Sequence, residues 1–519
     1  MENDQTCQIC FNLNTSLSDV HYDLVQARAL AGCQRCGILL SLTSHFFPGQ
    51  AVDLLGLLVD EPHQLQHRGP LLAHVKLASG TVHVLELFRQ PRQLTFSDKT
   101  CQGKKELRMG QGIGWARKVS VHSDSPECWK LAKGWLRNCL ESHSECPGFE
   151  TVPLPTRVLF LGHHCWGTAM PTRIMLTAES LDRWKAGVPI QHLPQTFQDA
   201  VKIARALKVD YLWIDTLCIM HDQENQDDWA RESTKMADIY TNAILTISAD
   251  QALDCHGGIF GMREKREIDA ISLELSSLSC CSSGCSCSTI YVRRHRDRSY
   301  PFLSHSVDGA TGGGCRSLTS GLHSRGWTLQ ERLLSKRVLH FTRFEMAWEC
   351  TKEVACECRL GDSPPKQFLI FRRAFVNPIE NWTQNGHQDQ DRTPKSAEDE
   401  VLKQIHGPLF QEAEGDLSSL VQLHWQLIIL EFTARCLTIE MDRLAALAGI
   451  ADLLCRITVQ EYYYGLLSDH LVRGLLWRHK PHPNRKRVSQ RLPAGSAPSW
   501  SFGAASAQAQ GQLILKGIW

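Results

Sequence analysis

Residues Leu193 to Ala249 restrict the fold more than any other stretch of the sequence. They read LPQTFQDAVKIARALKVDYLWIDTLCIMHDQENQDDWARESTKMADIYTNAILTISA. Phe197, Ala200, Val201, Ala204 and Leu207 recur at helical spacing, and Pro194 suits a first turn, where its missing N–H is not needed. Tyr211 to Ile214 form a short apolar run that ends at Asp215, as a buried parallel strand would. A polar loop follows, HDQENQDDW. A second helix places Met236, Ile239, Tyr240 and Ala243 on one face, and ILTISA reads as another buried strand. Strands alternating with helices of this length predict βαβ units and a mostly parallel, doubly wound α/β sheet.

The rest of the chain bounds the function. At 519 residues it exceeds one ordinary core and implies several domains. A net charge of +1 argues against nucleic acid and against an anionic membrane surface as partners. No window has the eighteen apolar residues of a membrane span. MENDQTCQIC lacks the basic and apolar regions of a secretory signal, so the expected compartment is the cytoplasm. The basic run HKPHPNRKRVSQR, from His479 to Arg491, leaves the nucleus open as an alternative to a solvated loop. There is no P-loop, no G-x-G-x-x-G fingerprint and no G-x-S-x-G elbow at a strand end.

Five regions follow from composition and periodicity. Residues 1–150 combine cysteine pairs, a β-rich part between Ala51 and Thr95, and an amphipathic helix from Pro126 to His143. On that helix Cys128, Leu131, Trp135 and Cys139 share a face and are expected to pack. Residues 151–355 hold the α/β core, interrupted at about 263–320 by a serine- and glycine-rich insertion. Its Cys280, Cys281, Cys285 and Cys287 read as part of a mobile loop. Residues 356–400 read as a linker, and 401–519 as a helical region with a short β-like tail.

The N-terminal pairs Cys7-x-x-Cys10 and Cys33-x-x-Cys36 could supply four thiolates to a tetrahedral structural zinc. The other reading is a helix whose Cys33 and Cys36 pack with Leu30 and Leu40.

Three blocks together carry a resemblance: VLFLGHHCWG from Val158, YLWIDTLCIMHD with DDWARESTKMADIYTNA, and SRGWTLQERLLSKRVLHF from Ser324, followed by WEC at Trp348. In order and spacing they resemble the fungal heterokaryon-incompatibility (HET) domain. That family is similar in its βα order to Toll/interleukin-receptor (TIR) domains, some of which cleave NAD. The resemblance implies a TIR-like core and a role in allorecognition or immunity through regulated cell death. NAD is then the candidate substrate. TIR enzymes carry a tryptophan and, four residues on, a glutamate; here Trp327 and Glu331 have that spacing. Glu331 is therefore the candidate catalytic residue, with Trp327, Asp215 and the Trp166–Gly167 loop as candidate NAD-binding groups. Whether the chain is an enzyme stays open. The alternatives are a non-enzymatic module acting by self-association through the HET domain, and a HET-like enzyme repurposed for secondary metabolism. An activating protein is expected but not identifiable.

Overall fold

The computed structural model describes residues 7–10, 17–59, 70–90, 113–143, 146, 153–161, 175–222, 227–263, 268–274, 289–295, 322–358, 417–433, 435–479, 491–493, 497–504 and 513–515. Trp166, Gly167, the Cys280–Cys287 run, the 356–400 linker beyond residue 358 and most of the basic run lie outside these residues.

The N-terminal region builds a six-stranded sheet. Its first four strands are β1 (Leu17–His21), β2 (Val52–Val59), β3 (Leu71–Leu77) and β4 (Val82–Phe88). Along β3 the residues Leu71, Ala73, Val75 and Leu77 are buried and the intervening ones only partly so, the period-2 pattern of a strand with one face on a core. Val25 of the helix Tyr22–Leu30 and Leu39 and Leu42 of the helix Gln34–Phe46 fill that core. The last two strands, β8 (Ile271–Glu274) and β9 (Thr289–Arg294), come from the segment read as an insertion. The sheet order is β1-β2-β3-β4-β9-β8, antiparallel throughout. Arg293 Nε donates to Glu86 Oε2 at 2.6 Å and fixes β9 against β4. The flanking serine and glycine content hid these strands, although Ile290 and Val292 alternate as a buried strand requires.

The helix Pro126–Ser142 is N-capped by Ser125, whose hydroxyl accepts from the Cys128 N–H at 3.2 Å. Its expected face, Cys128, Leu131, Trp135 and Cys139, is buried. That face packs in one core with a second sheet, ordered β12-β11-β10-β7. Its members are β7 (Thr246–Ser248), β10 (Arg337–Phe341), β11 (Met346–Cys350) and β12 (Val354–Cys356).

Here the sequence expectation is corrected. Among the described residues only β7 and β10 pair in parallel. The pairs β10–β11 and β11–β12 are antiparallel. Tyr211–Leu212 forms only a two-residue β6, antiparallel to β5 (Leu159–Phe160). The two apolar runs read as neighbours thus belong to different sheets. Every residue of β10, β11 and β12 is buried. The apolar runs themselves are not fully covered, since Tyr211 is exposed and Leu212, Thr246 and Ile247 only partly buried, so such a run fixes neither burial of both faces nor strand direction. The mixed α/β class holds; a doubly wound parallel sheet is not what these strands form.

Two helices of the C-terminal region, Leu417–Thr433 and Ala445–Thr458, enclose a third core with Leu329 and Leu333 of the helix Trp327–Leu334. The tail strand Leu513–Leu515 pairs with Trp477–His479. No helix of the described residues is long and apolar enough to cross a membrane.

Candidate functional site

Three of the predicted residues converge. Asp215 follows β6 and opens the short helix Asp215–Cys218. Trp327 begins the helix Trp327–Leu334, and Glu331 stands one turn later on the same side. The hydroxyl of Tyr240, on the helix Met236–Asn242, donates to the Glu331 carboxylate. Asp215, Tyr240, Trp327 and Glu331 are all partly accessible. Burial among these groups, followed by the charge of Asp215, pushes the Glu331 carboxyl up to about 7; the Arg325 charge and the Tyr240 hydrogen bond pull the other way and are outweighed. The Tyr240 phenol is pushed well above its usual range, first by burial and then by the Glu331 charge. Glu331 as a residue keeps some solvent access, while its carboxyl group is buried among these neighbours and the Arg325 charge does not offset that burial.

An aromatic wall borders this centre. Trp229 stands edge-on to Trp327 with ring centroids 5.8 Å apart, and Trp213 edge-on to Tyr240 at 5.9 Å. Asp215 also accepts from the Thr216 N–H at 2.7 Å, so part of its role is to hold its own turn. Asp228 does not cap the helix Asp227–Ser233 as its place in the polar loop suggests. It is buried within the first turn, pairs with Arg157 and Arg231, and accepts from the Met220 N–H at 2.9 Å.

Behind Glu331 runs a buried ionic chain. Arg332 Nε donates to Glu349 Oε2 at 3.0 Å, and the same oxygen accepts from His340 Nε2 at 2.9 Å. His340 Nδ1 reaches Asp250 Oδ2 at 2.9 Å, and His323 Nε2 lies 2.7 Å from Asp250 Oδ1. Carboxylates on both ring nitrogens hold His340 as an imidazolium: burial lowers its pKa, but Asp250 and Glu349 outweigh burial and raise it. The chain ties the helix Trp327–Leu334 to β10, β11 and the end of β7, and so fixes the backbone that carries Glu331.

The family model for heterokaryon incompatibility protein (HET) matches residues 163–331. The chain carries a HET domain. The match ends on Glu331 itself and takes in Asp215 and Tyr240, so the residues brought together above are HET-domain residues. No curated protein and no solved structure matches the chain.

Outside the HET match, the four N-terminal cysteines also come together. Cys7 Sγ lies 3.9 Å from Cys36 Sγ, and Cys10 Sγ 3.8 Å from Cys33 Sγ; all four sulfurs fall within 4.8 Å of one another. Four thiolates at about 2.3 Å from a tetrahedral ion stand about 3.8 Å apart. The cluster therefore has the dimensions of a metal site. Of the packing partners expected for Cys33 and Cys36, Leu30 is 81% exposed, but Cys36 lies in the N-terminal apolar core and Cys33 packs against it. Hydrogen bonds to Cys10, together with burial, push the Cys36 thiol up, while backbone N–H groups of Cys10 and Ile9 outweigh burial and lower that of Cys7.

Tyr240 was hidden in the sequence because it falls on an apolar helical stripe. The one available signal was its hydroxyl, which needs a polar partner when packed.

Proposed function

We propose that the chain acts in heterokaryon incompatibility by hydrolysing NAD at Glu331, and that NAD loss drives regulated cell death. A HET domain points to a function related to heterokaryon incompatibility. The observation that carries the enzymatic reading is the Glu331 carboxyl, pushed up to about 7 by burial, with Tyr240 and Asp215 beside it and Trp327 one turn away on a residue face that keeps some solvent access. The support is this local geometry and not the sheet, whose strands are mostly antiparallel.

In this reading the bond between nicotinamide nitrogen and ribose C1′ breaks with its electron pair leaving on nicotinamide. Positive charge then develops on the ribose, and the Glu331 carboxylate stabilises it. Water adds to C1′ and releases a proton, giving ADP-ribose. Tyr240 orients the carboxylate, Trp327 offers a flat wall to the nucleotide, and Asp215 borders the binding surface; Trp166 and Gly167 are the further candidates for contacting NAD. A structural zinc at Cys7, Cys10, Cys33 and Cys36 holds the N-terminal turn. Self-association and an activating protein in the cytoplasm or nucleus complete the proposal.

The test follows nicotinamide released from NAD by purified protein. Glu331→Gln should lower the rate by at least about 100-fold while circular dichroism is unchanged. Because the carboxylate is the active form, the wild-type rate should rise from pH 6 to pH 8. Equal rates for both proteins would remove Glu331. No turnover by wild type at any concentration, with assembly observed, would leave the non-enzymatic module.

A further inference from the structure

We infer that Cys139, His143, Cys146 and Cys350 bind one zinc ion, which pins the helix Pro126–Ser142 to the end of β11. The four ligand atoms lie within 4.8 Å of one another. His143 Nδ1 stands 3.5 Å from Cys350 Sγ and 3.8 Å from Cys146 Sγ. A tetrahedral zinc with Zn–S of about 2.3 Å and Zn–N of about 2.0–2.1 Å requires sulfur–nitrogen edges of about 3.6 Å. Cys139 and His143 are four apart at the helix C-terminus and share a face, Cys146 follows three residues later, and Cys350 closes β11. The three cysteines are free and at most 1% exposed.

The surroundings suit a metal better than packed thiols. His143 Nε2, the nitrogen turned away from the sulfurs, lies 3.5 Å from Glu353 Oε2. A carboxylate at that place orients a ligating imidazole and fixes its tautomer. Buried Arg337 donates from Nε to Cys139 Sγ at 3.1 Å, and the Glu353 N–H donates to Cys350 Sγ at 3.3 Å. Three thiolates around Zn²⁺ leave one net negative charge, which one guanidinium balances. Three sulfurs and one imidazole form a donor set that selects zinc over hard cations. On the helix alone, Cys139 reads as a packing group; its partner Cys350 lies on another element far along the chain.

The full-length chain, purified without chelator, should lose one zinc ion per chain on Cys350→Ser. Cys10→Ser should leave that ion in place, which separates this centre from the N-terminal cluster. A zinc content in Cys350→Ser equal to that of the wild type, or no zinc in the wild type, overturns the inference. If Cys350→Ser does not fold, His143→Cys decides: it keeps the metal, and after cobalt substitution its visible bands shift as three sulfurs and one nitrogen become four sulfurs. An unchanged cobalt spectrum would equally overturn it.

Discussion

Glu331 carries a carboxyl group that the folded chain prefers to keep protonated near neutrality. The ordinary value is 4.5 and the folded one is about 7. Below pH 4.5 both folded and unfolded chains hold this proton. Between pH 4.5 and 7 the unfolded chain releases it first, so stability falls as pH rises through that window and levels off above 7. Glu331→Gln removes the titration. The variant should match wild type near pH 4.5 and exceed it by about 2 kcal/mol at pH 8, once solvent screening of a partly exposed group is allowed for. Urea unfolding at the two pH values measures this, and a pH-independent difference would contradict it. A gain in stability with a loss of activity is the signature of a functional carboxylate held in an unfavourable setting. At this scale, Trp327 and Glu331 stood out through their resemblance to the tryptophan–glutamate spacing of TIR enzymes, and the helix Trp327–Leu334 sets them one turn apart on one side. Asp215 was legible because it ends an apolar run. Tyr240 and Cys139 were not, since each partner stands on a distant segment and local periodicity counts both residues as apolar.

Helices came through more clearly than strands. The Pro126–Ser142 helix buries the apolar face expected of it, and the structure adds Pro126 in its first turn and Ser125 as its cap. Strand direction has no comparable local signature, so the strands expected at Tyr211–Ile214 and in ILTISA could not be assigned partners, and β10 to β12 lie outside the strands expected. Between helices, a close approach is made at Gly449 in Ala445–Thr458. A Cβ there would stand 2.5 Å from the Ala237 Cβ and 2.9 Å from Gln330 Oε1, and the Gly449 N–H donates to that oxygen at 3.0 Å. Gln330 adjoins Glu331, so this contact seats the site helix against the C-terminal region. Gly449→Ala should lower stability by about 2–3 kcal/mol through overpacking. Thermal unfolding checks it; a melting temperature within a degree of wild type would show that the helices part freely.

Across the whole molecule, the N-terminal sheet and the HET-matched segment cannot be treated as consecutive blocks, because β8 and β9 leave the latter to complete the former. Deleting residues 271–294 should bare the edge of β4 and turn the protein into oligomers on size exclusion. Glu274 and Thr289 are directly paired, so replacing 275–288 by Asn-Gly closes a tight hairpin and should leave the elution unchanged. Monomeric behaviour of the first variant would mean that β4 tolerates an open edge. The β4–β9 pairing also sets a timetable. About two hundred residues separate Phe88 from its partner strand, and a ribosome needs roughly 10–40 s to add them at 5–20 residues per second. Throughout that interval the nascent chain presents an unfinished sheet whose β4 edge still lacks its partner, the kind of open strand edge that invites aggregation.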